Sequence, residues 1–231
     1  LDELTLSNVS ADYSSSPDNQ IAQVQIGNLL VELPEADLKT QTIELTTIEL
    51  ENSNILFHDF STPTDNPSAE SDSSSVPFAW PEWTVHVKQI TLNNNQIEFK
   101  TSDTDFRKGF FNPEAIQITG LTADLSNLML ENKSANAQVN LFQFEEASGF
   151  SLKEFSLDFA IDDRETSIEN LNLAINRRQL EGDLELTYES LDQLLQNPDT
   201  DSFALNLKAS TIEDQDHYYF KLLLGRDVVI Q

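Results

Sequence analysis

The chain has no cysteine, only six glycines in 231 residues, and little base: 13 Lys and Arg stand against 40 Asp and Glu, a formal net charge of -27. Each shortage excludes something. Without cysteine there is no disulfide framework, no cysteine nucleophile and no thiolate metal site. Without a basic face, nucleic acid is excluded as a partner, because phosphate binding gathers Lys and Arg on one surface. Charge-driven binding to anionic headgroups is disfavoured for the same reason. The acidic surplus reads as a solvated exterior that keeps apolar segments in solution. Long apolar runs are missing too: nothing approaches the ~20 residues of a membrane-spanning helix. The nearest, YYFKLLLGRDVVI, is interrupted by Lys221, Gly225, Arg226 and Asp227. There is no initiating Met and no signal peptide, and the chain opens inside a patterned segment, so an excerpt of something longer is expected.

What is present is a repeated stencil: apolar-x-apolar-x-x-apolar-x-apolar. It occurs at Leu4, Leu6, Val9, Ala11 and at Val24, Ile26, Leu29, Val31. It returns at Ile43, Leu45, Ile48, Leu50, and again at Val85, Val87, Ile90, Leu92. These last two copies belong to longer stretches that superpose at one offset, with Asn52 on Asn94, Ile55 on Ile97 and Phe57 on Phe99. Further copies stand at Ile116, Ile118, Leu121, Ala123; at Phe150, Leu152, Phe155, Leu157; and, with a weaker first position, at Thr166, Ile168, Leu171, Leu173. Repetition is read before any other feature.

Alternation with period two is a strand with one buried face. The three-residue step inserts one extra residue, which in a flat strand would turn the second pair to the opposite side. A β-bulge absorbs the extra residue and keeps the apolar side chains together; a sharp bend between two short strands is the rival. Gap residues such as Ser7-Asn8, Gly27-Asn28, Thr119-Gly120 and Glu169-Asn170 suit a kink, because Asn and Gly tolerate unusual backbone angles. The Asn-rich stretches 51–54 and 93–95 read as tight hairpin turns. Residues 61–77, STPTDNPSAESDSSSVP, have no apolar period and read as a disordered insert in one continuing sheet. Helix is scarce: SLDQLLQNP offers a capping box at Ser190 and Gln193, with Leu191, Leu194 and Leu195 on one face and Pro198 beyond its end. It is expected to plug or cover one end or edge of the sheet.

The fold class expected is therefore all-β: one elongated, mostly antiparallel, curved repeat sheet over 1–231, with one or two short helices. With almost no helix to cover it, the apolar face must curl over itself. A tight curl gives a packed core; an open one gives a groove.

Catalytic signals are weak. His58, His86 and His217 lack metal-pair spacing, and His86 alternates with Val85 and Val87, which places it on the polar face. Asp103 with Asp105, Asp162 with Asp163, and Asp199 with Asp201 lack the full oxygen series and glycine of a Ca²⁺ loop. They read as turn residues. There is no nucleophile elbow and no phosphate loop. Trp80 and Trp83 read as anchors at the edge of the apolar interior, with a carbohydrate platform as the alternative. No cofactor and no enzymatic activity are expected.

The run ITLNNNQIEFKTSD at 90–103 resembles the strand-turn-strand unit of the AsmA-like superfamily of Gram-negative envelope proteins. FFNPEAIQITGLTADLSNLML at 110–130 and GFSLKEFSLDFAIDDRETSIENLNLAINRRQLEGDLELTYESLDQLL at 149–195 are similar to TamB-type translocation and assembly modules in particular. The resemblance is clearest from Trp83 to Leu195. It rests on a succession of structural patterns, and residues 61–77 have no counterpart in it. The resemblance implies a U-shaped sheet, or β-taco, whose hydrophobic groove carries phospholipid acyl chains across the periplasm. It also implies an inner-membrane anchor, and an outer-membrane assembly-factor barrel as partner, both through parts outside this stretch. The residues expected to line the groove are Ile43, Leu45, Ile48, Leu50, Val85, Val87, Ile90, Leu92, Ile97, Phe99, Ile118, Leu121, Leu152, Phe155, Leu157, Leu171 and Leu173. Two other readings stay open: a structural or adhesive β-repeat with a closed core and no ligand, and a carbohydrate-active β-solenoid.

Overall fold

The computed structural model describes residues 2–60, 78–176, 178–196 and 204–209. The 61–77 stretch, His217, Asp199 and Asp201 lie outside them. The alternating segments form strands in chain order: β1 (Glu3–Ser15), β2 (Gln20–Glu32), β3 (Glu35–Asp37), β4 (Thr42–Glu51), β5 (Asn54–Asp59), β6 (Thr84–Lys100), β7 (Ala115–Glu131), β8 (Ser134–Glu146), β9 (Ser151–Asp162), β10 (Glu165–Ile175), β11 (Arg178–Thr187) and β12 (Ala204–Ala209). One helix, α1 (Leu191–Gln196), lies between β11 and β12. All twelve strands belong to one sheet. From β6 to β12 each strand pairs antiparallel with the next in sequence. The all-β, elongated, mostly antiparallel architecture read from the stencil is the architecture observed.

The exception lies where the stencil repeats most faithfully. β4 and β5 follow one another along a single line, flanked by β2 on one side and β6 on the other. They run antiparallel to β2 but parallel to β6, and the parallel register is the sequence superposition itself: Ile43 faces Val85, Leu45 Val87, Ile48 Ile90, Leu50 Leu92, Ile55 Ile97 and Phe57 Phe99. Two adjacent parallel strands bury matching side chains only if their apolar spacing is identical, which explains the duplicate stencil. A parallel neighbour also needs a return connection. Phe60 N is held by Asn19 O at one end of the sheet, and Thr84 N by Gln41 O at the other.

This overturns the hairpin reading of 51–54 and 93–95. Asn93, Asn94 and Asn95 lie inside β6, and Asn52 and Ser53 join β4 to β5 without reversing direction. Asn52 and Asn94 are left-handed (φ 48° and 53°), and that conformation serves a bulge as readily as a tight turn. Sequence shows the need for positive φ but not which of the two uses it.

The register also decides between bulge and bend. Ser134 to Val139 of β8 is an unbroken alternation, so Ala135 and Val139 share a face. Leu130 of β7 lies opposite Ala135, and Leu125 opposite Val139. Leu130 and Leu125 therefore share a face although they are an odd number of residues apart. One residue between them is extra, at left-handed Asn127 (φ 52°). Val85 and Ile90 of β6 lie opposite Leu130 and Leu125 and inherit the same result.

The bulges line up across strands. Asn8 of β1 (φ 53°) stands beside Gly27 of β2, Gly27 abuts the Glu51 and Asn52 carbonyls, Asn52 bonds Asn94, and left-handed Gly120 (φ 62°) of β7 follows. Bulges bend and twist a strand. A row of them running across the strands makes a crease. A second row joins Asn127 of β7 to Asn170 (φ 54°) of β10, whose N–H is held by Asp183 and whose Nδ2 donates to Asp158, the partner of Gln138.

α1 is capped as read: Gln193 N donates to Ser190 Oγ at 3.2 Å. Its apolar face is narrower than expected. Leu191 is buried, whereas Leu195 is exposed.

Candidate functional site

The register carries one apolar face through the sheet. Leu4, Val31, Ile48, Ile90, Leu125, Val139 and Leu157 are successive partners across β1, β2, β4, β6, β7, β8 and β9. At ~4.8 Å between strands this single row runs about 29 Å, close to the thickness of a bilayer's hydrocarbon core. Beside it runs Leu6, Leu29, Leu50, Leu92, Ala123, Phe142. Towards one strand end, Phe57 stacks on Phe99 with ring centroids 6.1 Å apart, and Ile97 lies opposite Ile118. Towards β11 the face continues through Leu152 and Ile175, Phe155 and Leu173, and Leu173 and Leu180; Leu171 lies opposite Gly182. The candidate residues thus belong to one surface.

Among the described residues nothing covers that surface. Of the candidates, Val87, Leu121 and Leu152 are buried; the others are only half-buried. Phe57 is 38 % exposed although it lies on the apolar side between Ala22 and Phe99. A strand sandwiched by a second layer would bury such side chains. Extended apolar surface left accessible on a folded protein marks a place where something apolar docks.

Two buried polar residues in this face escaped the sequence reading. Asn95 (3 % exposed) lies opposite Leu121. Its Oδ1 accepts from Ser53 N at 2.9 Å and its Nδ2 donates to Leu50 O at 2.8 Å. Ser53 (2 % exposed) accepts from Gly27 N through Oγ and donates to Glu51 O. The chain break between β4 and β5 leaves backbone groups without ladder partners, and these side chains supply them. The Asn run is the available signal, and it is equally compatible with a tight turn.

The opposite face is polar. His86 lies between Glu44 and Met129, with Nε2 3.5 Å from Glu131 Oε2. His58 Nε2 lies 2.9 Å from Glu98 Oε1, and Gln117 donates to Glu98 Oε2. Gln89 and Asn140 both donate to Asp124 Oδ1. Both described histidines sit in the outer polar ladder, as alternation required. Asp162 accepts from the N–H groups of Arg164 and Glu165, the turn role expected of it.

One line of strand ends is dressed with aromatic residues. Trp80, just before β6, donates from Nε1 to Asp163 Oδ1 in the β9–β10 turn at 3.2 Å, and Phe78 meets its ring edge-on at 5.4 Å. The segment therefore runs past the ends of β7 and β8. Tyr188, buried after β11, donates to Asp162 O at 2.8 Å and lies 3.0 Å from Thr166 Oγ1. Burial pushes its phenol above the ordinary 10.0. Leu191 N donates to Asp163 O, which ties α1 to the same turn. This is the edge-anchoring role read for Trp80, and it places α1 at one rim.

Among the described residues no helix is long and apolar enough to cross a membrane. No protein-family model matches the chain, and no curated protein matches it.

Proposed function

We propose that the creased, uncovered apolar face is a conduit for hydrocarbon chains, in a non-enzymatic protein that moves phospholipid between membranes. The observation that carries the reading is the continuous Leu4-to-Leu157 row, apolar at every strand and at no strand fully buried. Holding a lipid tail in water costs ~0.8 kcal/mol per CH₂, about 10 kcal/mol or more for one chain. A surface of Leu, Ile, Val and Phe removes that barrier. Uniform chemistry from strand to strand lets a chain slide without a deep resting place, so few polar contacts are needed. The resemblance to AsmA-like, TamB-type proteins supports the same role. It supports a periplasmic setting, an inner-membrane anchor elsewhere in a longer protein, and an outer-membrane assembly-factor barrel as partner.

The structural or adhesive repeat with a closed core is the competing reading, and Ile90→Glu separates the two. In a closed core it buries an unpaired carboxylate at a cost of several kcal/mol. On an open face the carboxylate reaches water, so the variant stays folded. Solvent extraction of the purified chain followed by mass spectrometry should then find phospholipid with the wild type and less with Ile90→Glu. An unfolded variant together with a lipid-free wild type contradicts the proposal.

A further inference from the structure

The connection from β6 to β7, residues 101–114, is a built turn. Thr101 N donates to Glu114 O at 2.8 Å across its base, Ala115 N to Asn112 O at 3.1 Å, and Phe110 N to Arg107 O at 3.3 Å at its tip. Gly109, left-handed at φ 80°, donates to Ser148 O at 2.6 Å and ties the tip to the β8–β9 turn. Lys100 lies 4.5 Å over the Phe106 ring. This frame presents FRKGFF, residues 106–111. Arg107 and Lys108 are exposed, and Phe110 and Phe111 are 64 % and 57 % exposed. Neither cation pairs with a carboxylate among the described residues. Basic residues are scarce in this chain, yet Lys100, Arg107 and Lys108 fall within one short stretch. The apolar face reaches the same rim through Phe142, Phe144 and Phe150, whose ring centroids follow at 5.9 and 5.8 Å.

We infer that this finger docks on a bilayer surface, with Phe110 and Phe111 in the boundary between headgroups and acyl chains and Arg107 and Lys108 against lipid phosphates. Aromatic rings beside cations suit that boundary, because the rings leave water while the charges stay at the phosphates. Area disfavours a folded protein as the partner. Two Phe side chains bury about 300–500 Å², short of the ~800 Å² per partner of a stable protein interface. A bilayer demands no matching shape, so two rings and two phosphate contacts suffice for reversible attachment. The net charge of -27 repels an anionic surface, but physiological salt confines that repulsion to about 8 Å. Arg107 and Lys108 stand at the point of contact, whereas Asp103, Asp105 and Glu114 lie outside the FRKGFF turn. Ring insertion therefore carries the attachment, and the two cations favour a surface with anionic lipid. This docking does not depend on what the apolar face carries, which the Ile90→Glu comparison tests separately.

The test is co-flotation of the 231-residue chain with vesicles of phosphatidylcholine containing a minority of phosphatidylglycerol. The wild type should float with them. Phe110→Ser with Phe111→Ser should weaken binding about tenfold or more. Arg107→Gln with Lys108→Gln should weaken it about fivefold or more. Leu38→Ser, which removes an 80 % exposed leucine at the opposite strand ends, should leave it unchanged. Circular dichroism confirms that each variant is folded. Because the chain has no cysteine, single-cysteine variants report the point of contact. A polarity-sensitive fluorophore on Phe111→Cys should shift to the blue when vesicles are added, whereas one on Leu38→Cys should not. A wild type that does not float overturns the inference. So does undiminished flotation of either double variant, or an equal shift at both labelled sites.

Discussion

Asn94 donates from Nδ2 to Oδ1 of Asn52 at 2.9 Å, across two parallel strands in which both residues are left-handed. The bond joins the left-handed joint between β4 and β5 to the left-handed bulge of β6. It holds the crease in register where the sheet departs from antiparallel pairing. Replacing Asn94 by Val puts a β-branched residue at positive φ and should cost about 1–3 kcal/mol. Asn94→Gly should cost less, because glycine accepts the angle and only the side-chain bond is lost. Urea unfolding of the two variants checks the order.

Asn95, beside it, has a different task. Asn95→Leu would suit the apolar face by polarity but leaves Ser53 N and Leu50 O without partners at the crease. Each unpaired buried group costs about 1–3 kcal/mol, so the apparently favourable change should be destabilising. Asn95→Asp keeps the acceptor for Ser53 N but buries a carboxylate oxygen against Leu50 O, so at neutral pH it should be at least as destabilising as Asn95→Leu in thermal melts.

Gly27 and Gly120 should respond differently to alanine. A Cβ on Gly27 would lie 2.6 Å from Glu51 O and 2.7 Å from Asn52 O, both backbone atoms that cannot yield without moving the crease. Gly120 has open space around it but a φ of 62°. Gly27→Ala should cost about 2–3 kcal/mol through a forced backbone shift, and Gly120→Ala about 1 kcal/mol through conformation alone. Chemical denaturation of both variants gives the comparison.

The stencil made the strands legible, because period two is a local property. A bulge would set Val85, Val87, Ile90 and Leu92 on one side, but spacing alone leaves a sharp bend open, and only the register excludes it. The partner of each strand is not legible from spacing either. Identical stencils at 43–50 and 85–92 are compatible with hairpins, with successive repeats, or with the parallel pair observed, and only the register separates them. Asn52 and Asn94 are ambiguous in sequence for a related reason: positive φ is a shared requirement of turns and bulges. The uncovered state of the face was not legible either. A Leu that packs on a second layer and one that faces an open trough have the same neighbours in sequence.

Tyr188 gives the rim a pH signature. Its phenol is raised above 10.0, first by burial. A group whose folded value is raised contributes stability that is present at neutral pH and is lost as pH rises through that value. Wild type should therefore lose stability above about pH 10 more steeply than Tyr188→Phe, which has no proton to lose. Denaturation midpoints of the pair between neutral pH and the alkaline range test this. Parallel curves would place Tyr188 in a solvated setting instead.

The central claim is that the apolar face meets hydrocarbon along the row that crosses the strands. Site-specific photo-crosslinking measures this directly. A photo-reactive amino acid is placed singly at Ile48, Leu92 or Leu157 on the apolar face, and at Thr91 or Glu49 on the polar face. The chain is then irradiated in the presence of phospholipid vesicles and the adducts are weighed by mass spectrometry. Phospholipid adducts are expected at all three apolar positions and none at Thr91 or Glu49. Adducts at neither set, or at both sets alike, would contradict the claim.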